Sequence, residues 1–175
     1  YSVNNDLSFS AQAAYSDYSR QVYSTVVSQN TGKYSLNPVP ETQSLVNFNS
    51  FTFRGTAQYK LSPVFSFQPG VDINLESGNG ERLKMGSNKV DDYAFFFTSE
   101  ITPNSKINIR PGIRVIKNSV YDAPPVIPSI NTKFALSKNL DLRIAYARGF
   151  RSPSLRELYF NFFDANHQII GNPDL

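Results

Sequence analysis

Apolar and polar side chains alternate over long stretches of this 175-residue chain, and this alternation constrains the fold more than any other feature. Between residues 45 and 61, odd positions include Phe51 and Phe53, whereas the even positions beside them include Thr52 and Arg54. Successive side chains of a β-strand point to opposite faces of the sheet, so a period of two indicates strands with one apolar and one polar face. The chain is therefore predicted to be all-β.

The same alternation recurs along the chain and predicts seven consecutive antiparallel, up-and-down strands. The connections differ in length, with short turns at 61–63, 102–105 and 137–139 and long loops at 18–43, 77–91, 119–125 and 150–175. The predicted strands cover residues 2–17, 44–61, 64–76, 92–102, 105–118, 126–137 and 139–149.

Prolines lie inside two of the predicted strands, in the related stretches Gln-Pro-Gly-Val-Asp at 68–72 and Arg-Pro-Gly-Ile-Arg at 110–114. Proline has no backbone N–H and cannot donate to the hydrogen-bond ladder of a sheet. We therefore expect a β-bulge at Pro69 and another at Pro111.

Two architectures share this alternation, a soluble β-sandwich and a transmembrane β-barrel. The polar frame carries mid-strand charges, whereas the apolar frame is uncharged until Lys117 and Arg148. Runs such as 44–61 exceed the mean strand of about 5–6 residues and the about 9–11 residues that cross a membrane. Alternating short turns and long loops are typical of outer-membrane barrels. These features favour the barrel, and a soluble β-sandwich that binds glycans or mediates adhesion is the alternative.

The amino-acid composition of the chain argues against several classes of function. The net charge of +3 is too small to indicate nucleic-acid binding. The chain has no cysteine and one histidine, His167, so neither a disulfide framework nor a cysteine or histidine metal site is expected. The sequence has no run of about 18 apolar residues, so no transmembrane helix is expected. Since no pairing of base and nucleophile stands out, we predict that the chain is not an enzyme and has no catalytic residue, metal or cofactor.

The stretch Tyr146–Leu175 contains "YARGFRSPSLRELYFNFF" and then "GNPDL". It resembles a signature of the TonB-dependent outer-membrane receptors, and the resemblance covers at least residues 90–175. That resemblance implies a plugged barrel of about 22 strands. It also implies a location in the outer membrane of a Gram-negative bacterium. The function implied is TonB-driven import of a scarce nutrient such as a ferric siderophore, cobalamin, haem or a glycan.

Seven strands are too few for such a barrel, and neither a plug domain nor an energy-coupling box is recognised in the sequence. The chain, residues 1–175, is therefore expected to be part of a receptor barrel with the plug domain absent. The partners that the resemblance implies are outer-membrane lipid, the plug domain, the remaining strands, a small nutrient and the TonB complex through the missing N-terminal part. No nucleic-acid partner is expected.

Within the signature, Ser154 and Glu157 have the spacing of a helix capping box. Pro153 would then occupy a first helical position, where proline is favoured. We predict a short helix at about 153–160 with Leu155, Leu158 and Tyr159 on one side. This helix either packs against neighbouring loops and the barrel wall or contacts the ligand.

Three arginines of the signature, Arg148, Arg151 and Arg156, could meet an anionic ligand, because arginine forms paired hydrogen bonds with carboxylates and phosphates. The arginines, including Arg156, could instead pair with Glu157 or Asp164. A lone loop histidine is either a hydrogen-bonded structural group or a metal or haem contact. The candidate ligand-binding residues are Arg148, Arg151, Tyr159 and His167.

Overall fold

The structure is a computed structural model that describes residues 1–39, 42–163 and 168–175. Nearly all of its regular structure is β, with one short helix, α1, at Leu155–Tyr159. The strands are β1 Leu7–Val22, β2 Thr25–Val27, β3 Tyr34–Leu36, β4 Ser44–Ser62, β5 Phe65–Gly80, β6 Ser87–Asn104, β7 Ile107–Asn118, β8 Ile127–Ser137, β9 Leu140–Ala147, β10 Asn161–Phe163 and β11 Gln168–Ile170.

The seven long strands form one antiparallel sheet in the order β1-β4-β5-β6-β7-β8-β9. Each long strand lies beside the next long strand in the chain, which confirms the predicted all-β, up-and-down arrangement. The short strands make two separate hairpins, β2 with β3 and β10 with β11. No helix in the described part of the chain has the length and apolar character that a membrane span requires.

The first strand begins and ends later than predicted. The side-chain Oδ1 of Asn4 accepts hydrogen bonds from the backbone N of Asp6 and of Leu7, at 2.9 and 2.8 Å, and so holds a turn before β1. At the other end, β1 continues past residue 17 to Val22. β5 and β6 are also longer than predicted, so the loop expected at 77–91 is reduced to 81–86.

Pro111 does not cause the bulge that its missing N–H predicted. Ile101 opposes Ile109 and Thr98 opposes Gly112, so β6 and β7 keep one register across Pro111. The shift between these strands lies instead between Ile101 and Asn104, next to the turn. A proline removes one donor, but the pairs on either side still set the register. The bulge at Pro69 stays a prediction.

The chain divides into two compact units, and the first comprises residues 1–14, 52–74 and 91–152. Its apolar side chains lie on one face of the strands and remain exposed, as at Phe95 with 49% and Ile144 with 56%. Phe67 stacks on Phe97 with ring centroids 5.7 Å apart. Since a β-sandwich buries its apolar face against a second sheet, this exposed face does not fit the sandwich alternative.

The second unit comprises residues 15–51, 75–90 and 153–175. It contains most of the fully buried apolar side chains of the described residues. Leu155 and Leu158 of α1 are 1% and 0% exposed, and Val46, Leu83 and Val90 are almost as deeply buried. This core holds the signature segment in place within the unit.

Candidate functional site

A group of charges lies on the polar frame of the first unit. The carboxylate of Asp72 accepts hydrogen bonds from Arg54 Nε at 2.5 Å and Nη2 at 2.9 Å, and from Arg114 Nη1 at 2.6 Å. Both guanidinium groups also lie 5.8 Å from the centre of the Phe96 ring, within the range of a cation–π interaction. We call Arg54, Asp72, Phe96 and Arg114 the Asp72 cluster.

The sheet order explains why these four residues meet. They come from β4, β5, β6 and β7, which are consecutive neighbours, and each side chain points to the polar face. Gly70 lies two residues before Asp72 and so shares its face. A Cβ at position 70 would overlap the ring of Phe96, so glycine is needed for the ring to lie there.

A second polar group lies nearer the turn between β6 and β7. Glu100 Oε1 accepts hydrogen bonds from Arg110 Nη2 at 2.8 Å and from Asn108 Nδ2 at 2.5 Å. Two open cavities of about 490 and 360 Å³ lie on this face, and Arg110 and Asn131 line both. The polar face of the unit thus presents hydrogen-bond donors and acceptors to open space.

Hydrogen bonds to its backbone hold the signature segment in the second unit. Ser154 caps α1: its backbone N donates to Glu157 Oε2 at 2.8 Å, while its Oγ accepts from Glu157 N at 3.4 Å. Glu76 Oε2 accepts from Leu155 N at 3.0 Å and so attaches the start of the helix to β5. The predicted capping box is therefore present and the helix begins with it.

Pro153 does not occupy a first helical position as predicted. The N-cap is Ser154, with an extended backbone at φ −76° and ψ 159°, and the first helical residue is Leu155. The N-cap residue has non-helical backbone angles, so proline here precedes the cap instead of opening the helix.

After the helix, the chain pairs with the segment that joins β5 to β6. Lys84 N donates to Tyr159 O at 2.9 Å, and Asn161 N donates to Arg82 O at 2.8 Å. Asn172 N donates to Glu157 O at 2.9 Å. These bonds and the buried leucines support the prediction that the helix packs against neighbouring loops and the wall.

The candidate ligand contacts are distributed over both units. Arg148 and Arg151 are exposed and belong to the first unit, one and four residues after β9. Tyr159 is half-buried at the end of α1, in the second unit. His167 and Asp164 lie outside the described residues. Among the residues that the structure describes, no cluster of three or more His, Cys, Asp and Glu is placed to hold a metal ion.

Arg156 has a different partner from those predicted. Its guanidinium lies 4.5 Å from the ring centre of Phe48 and 5.4 Å from that of Tyr18. Sequence reasoning missed the contacts of arginine with these rings and with Phe96, because it assigned faces within single strands and not which side chains of different segments meet. The signal that could have found them is the even numbering of the three aromatic residues, which puts them in the polar frame of their strands.

Comparison with protein families identifies the family of the chain. The family model described as TonB dependent receptor-like, beta-barrel matches residues 1–175. The resemblance seen in the sequence was centred on Tyr146–Leu175, and the match extends over all seven long strands. No curated protein matches the chain.

Proposed function

The chain belongs to the family of TonB-dependent receptor-like β-barrels, and we propose that it forms part of the wall of a receptor that imports its ligand with energy from the TonB complex. Proteins of this family are outer-membrane nutrient receptors and not a family of enzymes. The ligand we propose is a small, scarce nutrient, namely a ferric siderophore, cobalamin, haem or a glycan.

The observation that carries the proposal is the separation of charge between the two faces. Mid-strand ion pairs lie on the polar frame, as in the Asp72 cluster, whereas Phe95, Ile113 and Ile144 on the other frame are exposed. A membrane barrel needs an apolar outer face, since a charge there costs about 2–4 kcal/mol near the bilayer midplane. Its polar inner face is free to contact ligand and water.

The proposed partners follow from these faces and from the family. Outer-membrane lipid would cover the apolar face, and a plug domain with further strands would complete the receptor. β1 and β9 each have one neighbour in the described sheet, so further strands of the barrel would pair there. We propose that the TonB complex acts through the plug.

The ligand contacts stay proposals. Arg148 and Arg151 are exposed cations at the end of the sheet that contains β9, and Tyr159 offers a half-buried phenol. Together with His167 they are the residues that we propose to meet the nutrient. Alanine at each position should lower ligand affinity without changing the amount of folded protein in the outer membrane.

Uptake measurements test the function directly. Cells that produce the natural protein carrying this chain should accumulate labelled ferric siderophore, cobalamin, haem or glycan, and the same cells without TonB should not. Equal uptake of the nutrient with and without TonB would contradict energy coupling. Lack of uptake for all four classes would contradict the proposed ligand range.

Cysteine labelling tests the facing of the strands, since the chain has no native cysteine. Thr98→Cys on the polar face should react with a water-soluble thiol reagent in intact outer membranes, and Ile144→Cys on the apolar face should be protected by lipid. The reverse pattern would contradict the assignment of faces. A soluble sandwich would instead fold without detergent and leave no lipid-protected position.

A further inference from the structure

A small cavity in the second unit has an unusual set of side chains. Its volume is about 70 Å³, and its polar lining includes Arg20, Arg82, Arg156 and Ser44. The rings of Tyr18, Phe48 and Phe160 complete much of the wall. We call this space the Arg20 cavity. No carboxylate is among the described residues that line it.

Two of the arginines that line the Arg20 cavity, Arg20 and Arg156, form no ion pair with a described residue, unlike the arginines of the Asp72 cluster. Arg20 forms neither a hydrogen bond nor an ion pair through its side chain with any described residue. Arg156 contacts only the aromatic faces of Phe48 and Tyr18. Both arginines are exposed to solvent, and an anion placed between like charges lowers their mutual repulsion.

A buried hydroxyl points to a ligand independently of the arginines. Ser44 is 7% exposed, and its Oγ has no hydrogen-bond partner in the structure. A buried polar group without a partner is costly, and such groups in native proteins often mark a site for a water molecule or a ligand. An oxygen of an anion in the Arg20 cavity could accept its hydrogen bond after a small local adjustment.

The volume limits what can enter. One water molecule occupies about 30 Å³ in the liquid, so a cavity of about 70 Å³ holds a single polar group and not a whole nutrient molecule. Guanidinium groups bind planar or tetrahedral oxyanions through paired hydrogen bonds. With Arg20 and Arg156 both present, a doubly charged phosphate group is matched more completely than a singly charged carboxylate.

We propose that the Arg20 cavity binds a phosphate group, held by Arg20 and Arg156 with Ser44 as a hydrogen-bond donor. The phosphate would be either free or the end group of a small phosphomonoester. The inference deepens the proposed receptor function and rests on it for its biological role. The anion site itself can be measured on purified protein without TonB, so failure of one proposal is distinguishable from failure of the other.

Isothermal titration calorimetry on the natural protein that carries this chain, purified in detergent and phosphate-free buffer, tests the site. Inorganic phosphate, glycerol phosphate and acetate are titrated separately. We expect one phosphate per chain and weaker binding of acetate. Tighter binding of glycerol phosphate would identify a phosphomonoester as the source, and tighter binding of inorganic phosphate would identify the free ion. Acetate binding as tight as phosphate would overturn the choice of phosphate.

The variant Arg20→Gln provides the sharpest comparison, because the side chain of Arg20 forms no hydrogen bond or ion pair with a described residue whose loss would disturb the fold. It should weaken phosphate binding about tenfold, the usual loss for a charge-assisted hydrogen bond. Arg143→Gln removes a positive charge from the polar frame of the first unit and should leave phosphate affinity within about twofold. Ser44→Ala should lower affinity less than Arg20→Gln. Equal weakening by Arg20→Gln and Arg143→Gln, or no phosphate binding by the unaltered protein, would overturn the proposal.

Discussion

The Asp72 cluster and the Arg20 cavity differ in what their arginines contact, although both include side chains in the polar frame of the strands. In the Asp72 cluster, one carboxylate binds two guanidinium groups over one ring. In the Arg20 cavity, Arg156 contacts two rings and Arg20 none, and no carboxylate is among the described residues of the lining. The first arrangement is complete without a ligand and stabilises the wall. In the second, Arg20 and Arg156 have no carboxylate partner among the described residues, which is what the proposed anion site requires.

The largest difference between the two regions should come from the core of the unit that contains the Arg20 cavity. Leu158→Ala removes a fully buried side chain and should lower the free energy of unfolding by about 3 kcal/mol. Because α1 has five residues, it is too short to persist without this packing. Urea unfolding in detergent measures the loss, and protease cleavage between 153 and 163 should report the released segment.

Leu136→Ala is the matched control for Leu158→Ala, since Leu136 is 59% exposed on the apolar face. Its effect in detergent should stay below about 1 kcal/mol. A loss as large as that of Leu158→Ala would mean that the two regions do not differ in how they are held.

The next effect is expected in the Asp72 cluster. Asp72→Asn leaves two guanidinium groups facing one another without their anion, and should cost about 2 kcal/mol of unfolding free energy. That is below the about 3–5 kcal/mol typical of fully buried pairs, because the Arg54 side chain is 59% exposed. Thermal unfolding in detergent measures it.

Asp141→Asn is the control for this charge removal. Asp141 lies 3.4 Å from Lys133, with both side chains well exposed, and such surface pairs contribute about 0–1 kcal/mol. If Asp72→Asn were no more harmful than Asp141→Asn, the Asp72 cluster would not be a charge-balanced element of the wall, and its contrast with the Arg20 cavity would be lost.

The fold and the faces could be predicted from the sequence because a period of two records directly which side chains point the same way. The capping box of α1 was also predictable, since Ser154 and Glu157 contact each other locally, although Pro153 was wrongly placed inside the helix. Arg20 was missed because Asp17 and Ser19 end the apolar frame of β1, so the strand was predicted to stop at residue 17. Arg20, Arg82 and Arg156 line the same cavity because distant parts of the chain come together. The alternation of side chains gives no information about such contacts.

Gly70→Ala tests how closely the Asp72 cluster is packed. The added Cβ would overlap the Phe96 ring and force it away from the guanidinium groups. Overpacking of this kind costs about 1–3 kcal/mol, and we expect a value near the lower end because the overlapping atoms are the far end of a side chain and not backbone. Gly149→Ala is the control, since no atom lies within 4 Å of a Cβ at that position. Thermal unfolding should separate the two, and equal midpoints would show that Phe96 does not depend on Gly70.

The smallest effect is expected at the cap of α1. Ser154→Ala removes the side-chain acceptor for Glu157 N, and the loss of such a cap costs about 1 kcal/mol. Ser154→Thr keeps a hydroxyl acceptor and should lose less. Because the helix is also held by Leu158 and by Glu76, the change should increase protease cleavage between 153 and 163 while global unfolding moves little. If the docked helix positions Arg156, Ser154→Ala should also lower phosphate affinity. Arg156→Lys tests the role of Arg156 independently of the cap. Unchanged cleavage in Ser154→Ala would mean that apolar burial alone holds the segment, and that the cavity wall does not need its cap.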